Sequence, residues 1–285
     1  MADGNGSAVE AIEARPPGAA PSPRPALSPP LKWAGGKRWL VPLIAPVWAE
    51  HSTRRLVEPF CGGLAVSLGL MPRRALLNDI NPHAINFYRW LARGFEADVP
   101  MENDRGVFLA NRERFNGLVR GGREGTAEAA ALFYYLNRTG YNGLCRFNSS
   151  GEFNVPFGRY RRIRYADDFS PYRPVLSRWR FTAGDFEGLD LGPGDFVYAD
   201  PPYDVEFTRY AREKFTWKDQ VRLAEWLARH PGPVLLSNQA TDRVLRLYRR
   251  LGFRCRLHDM LAPRRISCNG DRRPAREVLA SRNLR

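Results

Sequence analysis

The stretch "RRLVEPFCGGLAVSLGLMPRRALLND", residues 54–79, decides the fold of this chain. Its first part, up to Phe60, predicts a short buried strand, and its last part predicts a second strand that ends at Asp79. Between them, two consecutive glycines predict a tight turn, and the apolar residues that follow predict a helix. Strand, glycine turn, helix and strand together begin a βαβ unit.

The same alternation of strands and helices continues along the chain. "PHAINFYRWLA", "TWKDQVRLAEWLARH" and "TDRVLRLYRRLG" predict helices, the second with Thr216 as N-cap and the third stopped by Gly252. "DFVYAD" and "GPVLLSN" predict strands, and "FRCRLH" with "REVLASRN" predicts a closing antiparallel pair. The chain is therefore predicted to be an α/β protein with a doubly wound, mostly parallel sheet, that is, a Rossmann-like core.

Composition divides the chain into three parts. Residues 1–30 are rich in Ala, Pro and Gly, which predicts a disordered tail. Residues 95–180 interrupt the α/β rhythm, contain the helical pattern "EAAALFYYLNR" and are rich in Arg, Asn, Gly and Tyr. We interpret them as an inserted, mainly helical domain, with residues 31–94 and 181–285 forming the core domain.

The charge and cysteine content indicate the class of partner and the compartment. The net charge is +14 and the pI is about 10.1, which favours a polyanionic partner such as nucleic acid, although nearly all basic residues are arginine and this skew also arises from GC-rich coding. Four cysteines without CxxC spacing predict no zinc site and suit a reducing cytoplasm. We expect no membrane span and no secretory signal.

Two segments predict a ligand site at the strand ends. Gly62 follows the first strand, and Asp79 stands where an acid meets a nucleotide ribose in doubly wound folds. Neither GxGxxG nor a P-loop is present, so an adenosine-bearing ligand without a pyrophosphate fits best, although a purely structural turn has the same pattern. Upstream, Trp33 and Lys37 in "PLKWAGGKRWL" suit a lid over an aromatic base and a carboxylate, or a solvent loop.

The stretch "FVYADPPYD", residues 196–204, ends a predicted buried strand on Asp200. Two prolines then fix the backbone, so the carboxylate and the Pro201 carbonyl form two rigid acceptors, and Tyr203 offers a flat face. These groups suit the exocyclic amine of a planar base that has left the duplex. A cytosine C5 methylase needs a cysteine nucleophile after proline, and no cysteine here follows one. The alternative is a proline-capped strand without chemistry.

With these motifs, the sequence resembles the Dam-type (D12 class) DNA adenine N6-methyltransferases from about residue 31 to 280. The resemblance is carried by "LKWAGGK", "VEPFCGG", "LNDINP", "LNRTGYNGLCRFNSSGEFNVPFGRY", "FVYADPPY", "VLLSNQAT" and "RRISCNG" in the order typical of that class. It implies S-adenosyl-L-methionine as the methyl donor and no metal. By matched position it assigns the cofactor contacts to Trp33, Lys37, Phe60, Gly62, Asp79 and Asp200, and the catalytic motif to Asp200, Pro201, Pro202 and Tyr203.

In the same family the segment that matches "GYNGLCRFNSSGEFNVPFGRY" is a hairpin that enters DNA. The resemblance implies that Tyr141 and Asn142 fill the space left by a flipped adenine, and that Leu144, Arg146 and Pro156 contact bases. Arg146 suits a bidentate contact to guanine, and the arginines Arg159, Arg161, Arg162 and Arg164 suit phosphates or form a solvated face. The match resembles enzymes that read GATC, whereas "FNSSG" and residues 95–125 depart from the family and leave the flanking preference open.

The resemblance further implies that double-stranded DNA is the partner and that the protein is a monomer. It also implies a bacterial or phage protein that acts in the cytoplasm, associated with the nucleoid. It leaves open whether a cognate restriction endonuclease exists. Two other functions stay open on the residues alone. One is a methyltransferase for RNA or a protein amide, a class in which Asn more often replaces Asp200. The other is a DNA-binding regulator with an inactive catalytic site.

Overall fold

The computed structural model describes residues 27–204, 215–258 and 276–284. Its seven strands are β1 (Leu56–Glu58), β2 (Ala75–Asp79), β3 (Trp179–Ala183), β4 (Phe196–Ala199), β5 (Val234–Gln239), β6 (Arg254–His258) and β7 (Glu277–Arg282). They form one sheet in the order β3-β2-β1-β4-β5-β7-β6. The first five strands are parallel to one another, whereas β7 lies antiparallel between β5 and β6. The α/β class and the mostly parallel, doubly wound sheet are confirmed.

Helices cover both faces of the sheet. They are α1 (Val41–Glu50), α2 (Ala65–Leu70), α3 (Pro82–Arg93), α4 (Arg105–Arg120), α5 (Ala127–Thr139), α6 (Arg173–Leu176), α7 (Trp217–Arg229) and α8 (Asp242–Arg250). One apolar cluster joins one sheet face to α1–α6, and a second joins the other face to α7 and α8. Within the described ranges, no helix is long and apolar enough to cross a membrane.

Local signals placed two helix ends correctly. The Thr216 hydroxyl caps α7 in a reciprocal capping box with Asp219, as the sequence predicted. Helix α8 ends at Arg250, and Gly252 then adopts a left-handed φ of 79°, which closes the helix as expected. The closing antiparallel pair is β6 with β7.

Two strand predictions differ from the structure. Strand β1 ends at Glu58 rather than Phe60, because Pro59 has no N–H for the ladder. Strand β3 was not predicted at all, since it is a short edge strand that alternates buried Trp179 and Phe181 with exposed Arg180. The predicted boundary of the inserted domain, at residue 180, falls inside this strand.

The inserted segment packs directly on the core helix α3. The rings of Phe87 in α3 and Tyr134 in α5 stack with centroids 5.3 Å apart. The indole N–H of Trp90 donates to the carbonyl of Gly125 over 3.1 Å, and Asn86 donates to the carbonyl of Thr126 over 3.0 Å. The hydrophobic effect thus joins α4 and α5 to the same core as the sheet.

Candidate active site

The predicted site residues gather at the carboxyl ends of β1, β2 and β4, where the strand order reverses. Strand β1 pairs with β2 on one side and with β4 on the other, so a crevice opens above the ends of these strands. In doubly wound sheets, ligands bind in this crevice. Asp79 ends β2, and Asp200 directly follows β4.

The Asp200 carboxylate is held by two side chains from other parts of the chain. Its Oδ2 lies 3.1 Å from Lys37 Nζ, and its Oδ1 accepts a 2.7 Å hydrogen bond from the Ser237 hydroxyl at the end of β5. The Asp200 side chain is 19% exposed and that of Lys37 is 7% exposed, so the pair is shielded but still reachable. Hydrogen bonds to an ionised group of this kind are strong and directional.

The segment after Asp200 is fixed by further contacts. The Pro202 carbonyl accepts a 2.7 Å hydrogen bond from Gln220 Nε2, while no described residue donates to the Pro201 carbonyl. The Tyr203 hydroxyl donates to Glu277 Oε2 over 2.9 Å, and Lys37 Nζ lies 4.3 Å from the Tyr203 ring centroid. Burial, reinforced by Asp200 and Glu277, raises the pKa of Tyr203 far above its usual value.

A second carboxyl group, Glu58, lies beneath the site and was not predicted. It ends β1, is 2% exposed and accepts a hydrogen bond from the Ser67 hydroxyl in α2. Burial raises the pKa of Glu58 to about 8; the Ser67 hydrogen bonds oppose this shift and the charge of Asp200 adds to it. Glu58 is therefore mainly protonated at pH 7 in the folded protein.

Glu58 and Ser237 share a sequence signal that could have identified them. Each is a polar residue at the end of a predicted buried strand, in "RRLVEPF" and "GPVLLSN". Polar groups at that position face the ligand crevice in doubly wound folds. Glu277 and Gln220 have no comparable signal, because only tertiary contacts bring them to Tyr203 and Pro202.

The glycine turn after β1 is bound tightly to Asp79. Gly62 N–H donates to Asp79 Oδ2 over 2.9 Å, and Asn81 N–H donates to Oδ1 over 2.9 Å. A Cβ at Gly62 would stand 2.7 Å from Nε1 of the Trp33 indole, so only glycine allows this ring to lie on the turn. Burial raises the pKa of Asp79, opposed by these two backbone hydrogen bonds.

Phe60 adds an aromatic wall at the same end of the sheet. Its ring centroid lies 5.7 Å from that of Phe186 and 5.5 Å from that of Phe215, the latter edge to face. The turn thus carries an apolar ring, a carboxylate at Asp79 and backbone without side chains at Gly62. This donor set fits an adenosine, with an aromatic base and ribose hydroxyls. In the part of the chain that the structure describes, no cluster of His, Cys, Asp or Glu could hold a metal ion.

The predicted recognition hairpin is present between residues 140 and 157. Antiparallel bridges join Gly140 to Phe157 and Phe147 to Phe153. Tyr141 is 50% exposed and its N–H donates to the Pro156 carbonyl over 2.9 Å, so two predicted DNA-contacting residues are neighbours. The predicted DNA-contacting positions Tyr141, Pro156, Arg146 and Arg159 are exposed, whereas Asn142 and Leu144 are partly buried.

Backbone geometry and side-chain contacts shape this hairpin. Asn142 and Arg159 have left-handed φ angles of 52° and 49°. Arg146 donates through Nε to Asn154 Oδ1 over 2.8 Å and through Nη2 to the Asn154 carbonyl over 2.9 Å. Arg146 is therefore held across the hairpin by two hydrogen bonds to Asn154.

Lys32 connects the recognition hairpin to the catalytic segment. Its backbone N–H and C=O pair with the Asn137 side chain, both over 2.8 Å, and its Nζ lies 3.9 Å from the Tyr160 ring centroid. A Cβ at Gly143 would stand 2.4 Å from Lys32 Cβ, so the Lys32 side chain packs directly on the turn that follows Tyr141. Burial, with a smaller contribution from Arg138, lowers the pKa of Lys32 to about 8. Five residues further on, Lys37 contacts Asp200.

A doubly wound sheet with a shielded aspartate, two prolines and a tyrosine at its switch point defines an α/β enzyme with a Rossmann-like methyltransferase core. Comparison with known sequences narrows this class. The family model of the D12 class N6 adenine-specific DNA methyltransferases matches residues 33–260. The chain therefore belongs to this family of DNA-modifying enzymes.

Named relatives come from bacteria and a phage. The chain is 38% identical over 271 residues to a "DNA adenine methylase" of Vibrio cholerae, which covers 88% of this chain and 94% of that protein. It is 35% identical over 265 residues to the "Retron Ec67 DNA adenine methylase" of Escherichia coli, covering 88% and 90%. It is 34% identical over 260 residues to the "DNA N-6-adenine-methyltransferase" of Escherichia phage P1, where the match covers 85% of this chain but 33% of that protein.

Proposed function

We propose that the protein transfers a methyl group from S-adenosyl-L-methionine to N6 of an adenine flipped out of double-stranded DNA, within GATC sites. The observation that carries the proposal is the Asp200 carboxylate, oriented by Lys37 and Ser237 beside the rigid Pro201 carbonyl and the Tyr203 ring. Family membership and the relatives named as DNA adenine methylases support the choice of adenine.

The cofactor site is proposed at the glycine turn. Asp79 would accept from the ribose hydroxyls, Phe60 would pack on the adenine, and Gly62 would leave room for close approach of the ligand. Trp33 and Lys37 would close the site from the other side. When bound, S-adenosylmethionine would supply a methyl group on a sulfonium: an amine lone pair attacks the methyl carbon, the S–C bond breaks and S-adenosylhomocysteine leaves as a thioether, with no metal needed.

The chemistry then depends on two acceptors. Each oxygen of an ionised carboxylate has two lone pairs, so Asp200 can accept from the adenine amine while Ser237 and Lys37 still hold it. The Pro201 carbonyl takes the second N–H. Accepting hydrogen bonds from both N–H groups draws the amine toward tetrahedral geometry and exposes its lone pair, and stacking on Tyr203 fixes the base plane. After the methyl group is transferred, one N6 proton leaves through the Asp200 carboxylate.

Recognition is assigned to the hairpin. Tyr141 and Asn142 would fill the gap left by the base, since the Tyr141 ring is exposed while its backbone N–H is held by the Pro156 carbonyl. Leu144, Arg146 and Pro156 would contact neighbouring bases, with Arg146 released from Asn154 to pair with guanine. Arg159 and its neighbours would bind phosphates.

The test is methylation of defined duplexes with labelled S-adenosylmethionine, followed by digestion to nucleosides. A GATC duplex should give N6-methyladenine, and duplexes with one base pair of the site changed should react at least about tenfold more slowly. Label found in N4-methylcytosine alone, or equal labelling of RNA or protein, would overturn the proposal.

A further inference from the structure

Several arginines lie at the end of the sheet away from the catalytic segment. Strand register places Ser281 opposite both Leu235, near the start of β5, and Arg254, at the start of β6. Glu277, which binds Tyr203, stands instead opposite Gln239 at the other end of β5. Helix α8 starts near that catalytic end and runs about 13 Å, at 1.5 Å per residue, to Arg250 at the far end.

We name the group at this far end the rear arginine surface. It consists of Arg54, Arg74, Arg249, Arg250, Arg254 and Arg282. Arg54 stands two residues before β1, Arg74 directly precedes β2, and Arg282 ends β7, opposite the first residue of β5. All six positions therefore lie toward the amino ends of the parallel strands.

These arginines differ from those on other elements in their partners. Arg222 of α7 pairs with Asp185 and Glu187, and Arg120 of α4 pairs with Glu113 and Glu152. Among residues 27–204, 215–258 and 276–284, no ion pair forms to any member of the rear arginine surface.

Three of its guanidinium groups donate only to neutral backbone. Arg54 donates to the Gly194 carbonyl, Arg74 to the Thr53 carbonyl and Arg282 to the Leu251 carbonyl. Their positive charge is left uncompensated by the described chain, in contrast to the paired arginines of α4 and α7. Such a surface attracts a polyanion.

Two clefts lie within the rear arginine surface. One, of about 240 Å³, is lined by Arg254, Arg282 and Gly252. The other, of about 450 Å³, is lined by Arg54 and Arg74, together with Arg55 and Asp195, which pair with each other. The strands that they flank, β1 and β7, are three strand spacings apart in the sheet, or about 14 Å at 4.8 Å per spacing. That is the rise of about four phosphates along one DNA strand.

We propose that the rear arginine surface binds the sugar-phosphate backbone of a second DNA segment, independently of its sequence, while a first segment occupies the active site. The identity of the polyanion as DNA rests on the proposed function. Arginine suits this role because its planar fork binds phosphate oxygens in pairs and stays charged. Neither cleft has an aromatic side chain to stack bases, so the contact is to backbone alone.

A capture experiment tests this. The full chain is saturated on an immobilised short GATC duplex, and a labelled duplex without that site is added at low salt. The wild-type protein should retain the second duplex, whereas R250Q/R254Q should retain at least about tenfold less of it. Each lost phosphate contact should reduce the salt slope of capture by about 0.9. R250K/R254K, which keeps the charge, should restore most of the capture.

The matched control is R105Q/R123Q, which removes the same charge from two exposed arginines of the inserted segment. It should capture the second duplex like wild type. Methylation of the short duplex is measured in parallel and should stay unchanged in R250Q/R254Q, so failure of the proposed function is seen separately from failure of capture. No capture by wild type, equal capture by R250Q/R254Q, or capture of anionic vesicles in preference to DNA overturns the inference.

Discussion

The catalytic segment and the recognition hairpin are built on opposite principles. The catalytic segment, residues 200–204, is held by side chains from other parts of the protein. Asp200 contacts Lys37 and Ser237, the Pro202 carbonyl accepts from Gln220, and the Tyr203 hydroxyl donates to Glu277. The recognition hairpin presents an exposed Tyr141 and arginines whose contacts stay within the hairpin or face solvent. On the proposed function, the first region is organised before DNA binds, and the second is completed by its contacts to DNA.

The difference follows from what each region has to do. Groups that stabilise a transition state must be fixed beforehand, because reorganising them during the reaction adds to the barrier. Groups that read or hold DNA must give up weak partners for stronger ones, so modest internal contacts suffice. We therefore expect changes in the catalytic segment to reduce turnover steeply, and changes in the hairpin to alter binding and selectivity.

The largest effect is expected for Asp200→Ala. Loss of the acceptor should reduce the single-turnover rate of methyl transfer by at least about 10³-fold, or about 4 kcal/mol, while DNA binding by gel shift stays within a few fold of wild type. Asp200→Asn serves as the isosteric control: its amide oxygen can still accept an N–H group, so it should retain more activity than Asp200→Ala. Substantial methyl transfer by Asp200→Ala would falsify the role given to Asp200.

The next effect concerns stability rather than rate. Burial raises the pKa of Glu58 from 4.5 to about 8, so folding favours its protonated form. This contribution to stability is complete below pH 4.5 and is lost as the pH rises toward 8, by about 1.4 kcal/mol per unit within that window. Glu58→Gln keeps the acceptor for Ser67 and cannot ionise.

Urea unfolding at pH 5.5 and 7.5 measures this contribution. The wild-type free energy of unfolding should fall by about 2 kcal/mol more than that of Glu58→Gln between these pH values. Parallel pH profiles for the two proteins would show that Glu58 does not titrate in this window and that burial does not raise its pKa into it.

Ser237→Ala removes one of the two donors that orient Asp200. A hydrogen bond to a charged group contributes about 1.5–3 kcal/mol, so kcat should fall by roughly 10- to 100-fold with KM for DNA nearly unchanged. Ser237→Thr, which restores the hydroxyl, is the control. An unchanged kcat in the alanine variant would mean that Lys37 alone suffices to position the carboxylate.

In the hairpin, Arg146→Ala should mainly reduce discrimination. Loss of a bidentate guanine contact should lower kcat/KM on GATC by about tenfold, with little change on duplexes already altered at that base pair. Asn154→Ala frees Arg146 from its internal partner and should keep discrimination intact. Equal losses on all duplexes would instead assign Arg146 to phosphate binding.

The smallest effect is expected for Arg159→Ala. A single phosphate contact should weaken binding a few fold on every duplex and reduce the slope of log K against log salt by about 0.9. Arg159→Lys should retain most of that slope. A selective loss of binding on one duplex sequence would instead show that Arg159 contacts a base and not only a phosphate.

Sequence patterns identified most of the sheet and the centre of the site, with informative exceptions. Strand β3 was missed because it is an edge strand of only five residues, so its alternation of buried and exposed positions is too short to stand out. Lys37 and Asp200 were each predicted as site residues, but their direct contact was not, since they lie far apart in the chain. The "RRISCNG" motif lies outside the described residues.

By itself, the sequence determined the α/β class, the glycine turn beside Asp79, the Asp200–Tyr203 motif and the hairpin at residues 140–157. These depend on local periodicity and on the fixed backbone preferences of glycine and proline, which act over a few residues. Only the tertiary structure decided that Ser237 and Lys37 hold Asp200, that burial raises the pKa of Glu58, and that arginines without an ion pair to any described residue lie toward the amino ends of the parallel strands. Those properties depend on burial and on contacts between distant residues, and they exist only once the sheet has assembled.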